Sequence, residues 1–397
     1  MYQNNPLDEK IDRKHSDSVK YGAGNRDPER EKLLPLWVAD MDFRVPDPVI
    51  KALRDRTEHG IFGYGAAEEN YYDAVCGWFR THFHFDIDPR WIVTTPGVVF
   101  ALSAAIRTFT ERGDAVLINR PVYYPFSNLI DGLKRRLINS PLQLKGGRYE
   151  IDFADVEEKI VSSGVRLYLL CSPHNPVGRV WTREELKKLG DICLKHDVLI
   201  VADEIHCDFV WSDHPHTVFA SLGEPYRRRC ILCTAPSKTF NLAGLVGSYH
   251  IVYNSYLRDR LMEAEKCSHY NSANVLSISA LMGAYTKEGA EWVDELREVL
   301  TQNVDYAYTY ITTHFEGVSV AKAQGTYMLY LDCSGWLKEH PEMTMDDLIR
   351  AGIAVGVVWQ DGRPFMNPNT IRMNLAVPHA LVKEAMDRLD KYVFNAK

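Results

Sequence analysis

The sequence predicts an α/β protein in which a large domain, built on a mostly parallel sheet flanked by helices, precedes a smaller α+β domain. Three observations carry this. Short, almost continuously apolar runs of strand length, at 165–171, 198–202 and 230–234, alternate with segments of helical period. Such alternation marks layered βα units, whose helices cover both faces of a sheet. From about residue 254 long helical stretches take over, and strand-like runs return only near 327–331 and 370–375.

Asp47 as N-cap, with Pro48 at the first helical position, opens a helix that Gly60 stops. Residues 91–94 read as a strand, 98–112 as a helix ended by Gly113, and 115–118 as a strand. Thr182 and Glu185 form a capping box that starts a helix reaching about His196. Residues 291–315 carry Trp292, Val293, Leu296, Val299 and Leu300 at helical spacing, and 379–393 place Leu381, Ala385, Met386 and Leu389 on one face. The expected division is an N-terminal arm, 1–45, contributing to the small domain, a large cofactor-binding domain, 46–289, and a small C-terminal domain, 290–397. No repeat of roughly 20 to 50 residues argues for a solenoid or propeller.

The chain has 397 residues, 46% apolar and 25% charged, the balance of a soluble globular protein. Lys and Arg total 46 against 53 Asp and Glu, a net charge of -7, and no basic block would track a phosphate backbone, so no nucleic-acid partner is expected. Apolar runs stop far short of the roughly 18 residues of a membrane helix. The polar stretch 1–20 contains no apolar core of a signal peptide, so the expected location is cytoplasmic. Eight cysteines, mostly in apolar runs, suggest buried free thiols. Cys230 and Cys233 match C-x-x-C, but a strand turns them to opposite faces. His206, Cys207, His214 and His216 invite a zinc reading yet lack a second matched ligand pair, so no metal is expected.

Three turns lie at the ends of predicted strands, the edge where open α/β sheets bind ligands. Residues 172–178 follow the first strand; two prolines rigidify the turn, and Asn175 can offer a donor to a cleft, although taken alone the pattern reads more readily as a plain structural turn. Asp203, Glu204 and His206 follow the second strand, a costly grouping unless paired, suited by itself to a metal or an arginine. Lys238 follows the third, in a turn of small and apolar residues, where a lysine can become an amine nucleophile or base; taken singly it reads more readily as a surface lysine. Jointly they suit pyridoxal 5′-phosphate, which needs an amine for its aldehyde, a carboxylate for its ring nitrogen, a donor to its phenolic oxygen and an aromatic face. Lys238, Asp203 and Asn175 supply the first three, and the aromatic segment 121–126, after the strand at 115–118, the fourth. The phosphate suits the strand-to-helix turn at Gly97, Val98 and Val99.

These residues belong to a longer ordered set: 37–43 (Trp-Val-Ala-Asp-Met-Asp-Phe), 62–65 (Phe-Gly-Tyr-Gly), 121–126, 173–181, 203–206, 237–241 (Ser-Lys-Thr-Phe-Asn), 325–327 and 372–374 (Arg-Met-Asn). The set resembles the fold-type I pyridoxal-phosphate enzymes of the class I and II aminotransferase superfamily, and within it the bacterial cystathionine β-lyase branch. The resemblance implies that Lys238 is the Schiff-base lysine and Asp203 the partner of the ring nitrogen. It places Asn175 on the phenolic oxygen with His206 behind, Tyr123 against the ring, and Ser237 with the amides of Gly97, Val98 and Val99 around the phosphate. Arg372, with Asn175 and Tyr124, would take the substrate, and Tyr64 would reach the phosphate of a neighbouring subunit in a homodimer. Two features depart from the wider superfamily. Val246 stands eight residues after Lys238, where many aminotransferases carry an arginine, and the loop before Arg372 lacks the usual glycine-rich ending. The expected activity is β-elimination from L-cystathionine or a related cysteine S-conjugate. The alternatives are an aminotransferase, and a cofactor-bearing regulatory protein of low turnover.

Overall fold

The computed structural model describes residues 6–13, 16–22, 33–270 and 272–395; the remainder of the arm expected at 1–45 lies outside them. A seven-stranded sheet runs, edge to edge, Ile92–Thr95, Ser248–Ile251, Cys230–Thr234, Leu199–Asp203, Val165–Cys171, Ala115–Ile118 and Arg136–Asn139. Ser248–Ile251 is antiparallel to both of its neighbours, and the other pairings are parallel. Side chains alternate between two apolar layers. Leu117, Tyr168, Ile200 and Leu232 pack on one face, and Val116, Leu167, Val201 and Ile231 on the other. Each such side chain contributes about 1.5–3 kcal/mol on burial, so covering on both faces fixes these strands more firmly than local propensity. Cys230 and Cys233 fall in opposite layers, as the strand period requires.

A five-stranded sheet has the order Leu34–Leu36, Val357–Asp361, Thr370–Asn374, Met328–Asp332 and Ser319–Val320. Its first strand comes from the N-terminal arm and pairs in parallel with Val357–Asp361. The helices Lys287–His314 and His379–Leu389 pack over it through Leu296, Leu300, Val382 and Met386. Beyond Leu36 the chain crosses to the large sheet as the loop 37–43. Arg13 clamps it by pairing with Asp40 at 2.6 Å and Asp42 at 2.5 Å, and the fully buried Lys20 side chain reaches Asp42 at 2.9 Å. A carboxylate so enclosed is tolerable because two cations and the Tyr21 hydroxyl meet it.

The capping box at Thr182 and Glu185 is present and starts the helix Arg183–Lys195. Other helix ends differ from expectation. The cap of Asp47–Glu58 is the extended Pro46, and the Asp47 carboxylate pairs with Arg44 instead of capping. The helix Val98–Phe109 ends before Gly113, because Thr110 turns extended and bonds its hydroxyl to the Ile106 carbonyl. Among the described residues, the final helix gives way to a π-helical turn over Asp390–Phe394, and no helix is long and apolar enough to cross a membrane.

Candidate active site

At the carboxyl ends of Val165–Cys171, Leu199–Asp203 and Cys230–Thr234 the structure encloses a cavity of about 210 Å³. It brings together Gly97, Val98, Val99, Tyr123, Asn175, Asp203, His206, Ser237 and Lys238 from the expected set. Lys238 lies in the short helix Pro236–Thr239, opened by Pro236, and lines the cavity. Its Nζ donates to the Ala39 carbonyl at 3.1 Å. Burial, reinforced by the Arg372 charge, brings its amine down to about 8, within reach of the neutral nucleophilic form.

Asp203 closes its strand 4% exposed, and one of its oxygens accepts the Ile205 amide at 3.1 Å. Burial raises its carboxyl to about 7, a cost that a cationic partner entering the cavity would remove. The adjacent Glu204 turns away and accepts from the Phe219 amide and His216 Nε2, both at 2.8 Å. The cluster that suggested zinc is thereby dispersed, with His206 in the cavity, His216 on Glu204 and His214 beside Asp213. His206 is buried and neutral, its proton affinity lowered to about 3 by desolvation, and its Nδ1 has no partner among the described residues.

The Asn175 side-chain oxygen accepts from Arg372 Nη1 at 3.3 Å, which leaves its amide nitrogen to donate into the cavity, and its carbonyl accepts the Tyr123 amide at 2.9 Å. Arg372 lies at the centre of Thr370–Asn374, 3% exposed, with a second hydrogen bond to the Trp37 carbonyl at 2.8 Å. Gly97, with φ at 95°, turns the chain from strand to helix where a side-chain-bearing residue would be strained, so that the first amides of Val98–Phe109 face the cavity edge.

Three expected site residues are not in the cavity lining: Arg372 meets it only through Asn175, and two lie elsewhere. Tyr124 does not line the cavity; it packs edge-on against Phe365, 5.7 Å between ring centres. Tyr64 is 99% exposed, next to exposed Ile61 and Phe62, outside the cavity of its own chain. The sequence reading also missed residues that hold the loop 37–43 under Lys238. Asn374 donates to the Val38 and Asp40 carbonyls, Asn241 to those of Met41 and Phe43, and Tyr327 to that of Ala39. Their only trace in the sequence is that they stand inside the quoted segments.

The donor set fits pyridoxal 5′-phosphate. An enclosed carboxyl with one protein donor, an orphaned imidazole nitrogen, an amine at its nucleophilic threshold and a helix start open toward one cavity are what its ring nitrogen, its aldehyde and its phosphate require. The aminotransferase class I and II family model matches residues 31–389. The chain belongs to this family. Among relatives of this class I and II member, cystathionine β-lyase PatB of Bacillus subtilis (strain 168) is 42% identical over 303 residues, 76% of this chain and 78% of that protein. Among solved structures, cystalysin from Treponema denticola, which contains a pyridoxal 5′-phosphate cofactor, superposes with a TM-score of 0.90 at 32% identity, covering 98% of this chain and 99% of that one. The PLP-bound C-S lyase from Staphylococcus hominis gives a TM-score of 0.89 at 31% identity, covering 97% of each chain.

Proposed function

We propose that this chain is a pyridoxal-phosphate-dependent carbon–sulfur β-lyase that acts on L-cystathionine or a related cysteine S-conjugate. The observation that carries the reading is the convergence of Lys238, Asp203 and Asn175 on one cavity with the buried guanidinium of Arg372 bonded to Asn175. The cofactor, when bound, supplies the electron sink that makes the substrate's α-proton removable. Lys238 would hold it and move the proton at the substrate Cα; Asp203 would keep the ring nitrogen protonated; Asn175 would donate to the phenolic oxygen with His206 behind it. Tyr123 would lie against the ring, and Ser237 with the amides of Gly97, Val98 and Val99 would bind the phosphate. Arg372 takes the α-carboxylate in the two-pronged geometry that guanidinium and carboxylate share, with Tyr124 at the side of that pocket. The carbon–sulfur bond breaks with its electron pair leaving on sulfur, and water completes the balance: L-cystathionine and water give homocysteine, pyruvate and ammonia.

Val246 favours elimination over transamination: it lines the cavity, half exposed, where many aminotransferases of this fold place an arginine. With L-cystathionine, pyruvate should therefore form at least roughly 100-fold faster than amino groups are transferred to an added 2-oxo acid, a difference of about 2.7 kcal/mol in competing barriers. Counting pyruvate and free thiol against newly aminated acid checks this, and comparable rates would move the assignment to an aminotransferase.

We further read residues 46–289 as the cofactor-binding domain, and 290–397 with the arm 1–45 as the small domain that carries Arg372. Two copies working in the cytoplasm complete the reading; buried free thiols at seven of the eight cysteines suit a reducing compartment. The exposed Ile61, Phe62 and Tyr64 support the dimer, since an aromatic left 99% exposed on a loop is costly unless a second copy receives it. The loaded protein should sediment as a dimer, and Tyr64→Phe should weaken cofactor retention about tenfold through loss of one hydrogen bond to a charged group. A fully active monomer at dilution would contradict the shared site.

A further inference from the structure

Arg372 is held asymmetrically. One N–H on each terminal nitrogen is bonded, to Asn175 and to the Trp37 carbonyl, while Nε has no partner among the described residues. The guanidinium carbon lies over the ring of Phe365, 5.2 Å from its centre. Phe365 is 1% exposed and is itself wedged edge-on between Tyr124 at 5.7 Å and Tyr330 at 5.9 Å.

The turn that delivers this ring is built to stay in place. Arg363 pairs with Asp361 at 2.7 Å and Asp346 at 2.6 Å, and the Phe365 amide donates to the Gly362 carbonyl at 2.9 Å. Gly362 lies so close to the arginine-bearing strand that a Cβ there would stand 2.3 Å from the Thr370 carbonyl oxygen, so the turn can dock only through a glycine. Met366 then leaves at φ 68° and is 63% exposed, so the buried contact ends abruptly at Phe365. This is the stretch in which the sequence departs from the usual glycine-rich ending.

We propose that Phe365 is a positioning residue that fixes the plane of the Arg372 guanidinium and thereby sets how tightly the substrate's α-carboxylate is held. The inference rests on the assignment of Arg372 to the α-carboxylate. A guanidinium pinned by two hydrogen bonds can still tilt about the line joining them. An aromatic ring packed against it restricts that tilt without using a donor, and leaves the remaining N–H groups for a two-pronged ligand.

The test contrasts two probes on the cofactor-loaded protein, L-alanine, which has an α-carboxylate and no β leaving group, and ethylamine, which has neither. Binding is followed by the visible absorbance change. Phe365→Leu should weaken L-alanine roughly 10- to 30-fold while leaving ethylamine, the cofactor spectrum and the melting temperature nearly unchanged. Phe365→Tyr should restore L-alanine binding, and Phe365→Met, ringless but closer in volume, serves if the leucine variant fails to fold. With L-cystathionine the loss should fall on KM and spare kcat. In an Arg372→Lys background the ring should no longer matter, so the two losses should not add. Equal weakening of both probes, or none, overturns the proposal. Absence of thiol release by the parent protein would overturn the lyase reading alone, because the contrast between L-alanine and ethylamine needs no elimination.

Discussion

Lys238→Ala should lose the cofactor on dialysis and lose thiol release by at least roughly 10²- to 10⁴-fold, the range associated with removal of a positioned acid–base group. The two roles proposed for it, the covalent anchor and the group that moves the α-proton, would disappear together, with no second amine in the cavity lining to replace either. The other titratable groups of the lining are the Asp203 carboxyl raised to about 7, the His206 imidazole that stays neutral down to about 3, and the Tyr123 phenol and Cys171 thiol, both of which burial pushes up and keeps protonated. The fold should survive, since Nζ makes one hydrogen bond, to the Ala39 carbonyl, and Tyr327 keeps a 2.9 Å bond to the same oxygen. Visible absorbance after dialysis, thermal unfolding and pyruvate formation measure the three consequences. Turnover near that of the parent chain would sink the mechanism, because the proton would then be moving through another group.

What could be read ahead of the structure follows from where burial acts. The strands Ala115–Ile118, Val165–Cys171 and Cys230–Thr234 match their apolar runs residue for residue because both faces are covered. Ser248–Ile251 has no such run: it carries Ser, His and Tyr, and it survives in the interior because His250 pairs with Glu265 at 3.0 Å and Ser248 donates to the Thr95 carbonyl at 3.0 Å. Helix ends at Pro46 and Phe109 elude the sequence because backbone angles and the Arg44–Asp47 pair decide them. In the site, Asp203 stands out as a polar group ending an apolar strand, and Asn175 and Lys238 as polar groups in the turns that follow two others. Ala39 acts through a carbonyl and Phe365 through a ring face, and neither leaves a polar signal.

Asp203→Asn should separate stability from function by moving them in opposite directions. In the cofactor-free protein the Asp203 carboxyl is enclosed and binds its proton more tightly than in the unfolded chain, at about 7 against an ordinary 3.8. Between those values the folded form holds the extra proton, so stability falls as pH rises through this window. The cost is absent below about pH 4 and complete above about pH 7, at most about 4 kcal/mol at about 1.4 kcal/mol per pH unit. An amide cannot ionise, keeps an oxygen for the Ile205 amide, and escapes this cost. The cofactor-free variant should therefore match the parent chain near pH 4 and exceed it near pH 8, as urea unfolding at the two conditions would show. Function should move the other way. Without a carboxylate the ring nitrogen loses the charge that keeps it protonated, and thiol release should fall by roughly 100-fold or more even with the cofactor present. The reverse pattern, an Asp203→Asn protein less stable at pH 8 than the parent, would mean that the chain's own groups already compensate the carboxylate. In that case Asp203 would be a structural acid, and the cationic partner the cavity is built to receive would have to be sought elsewhere in its wall.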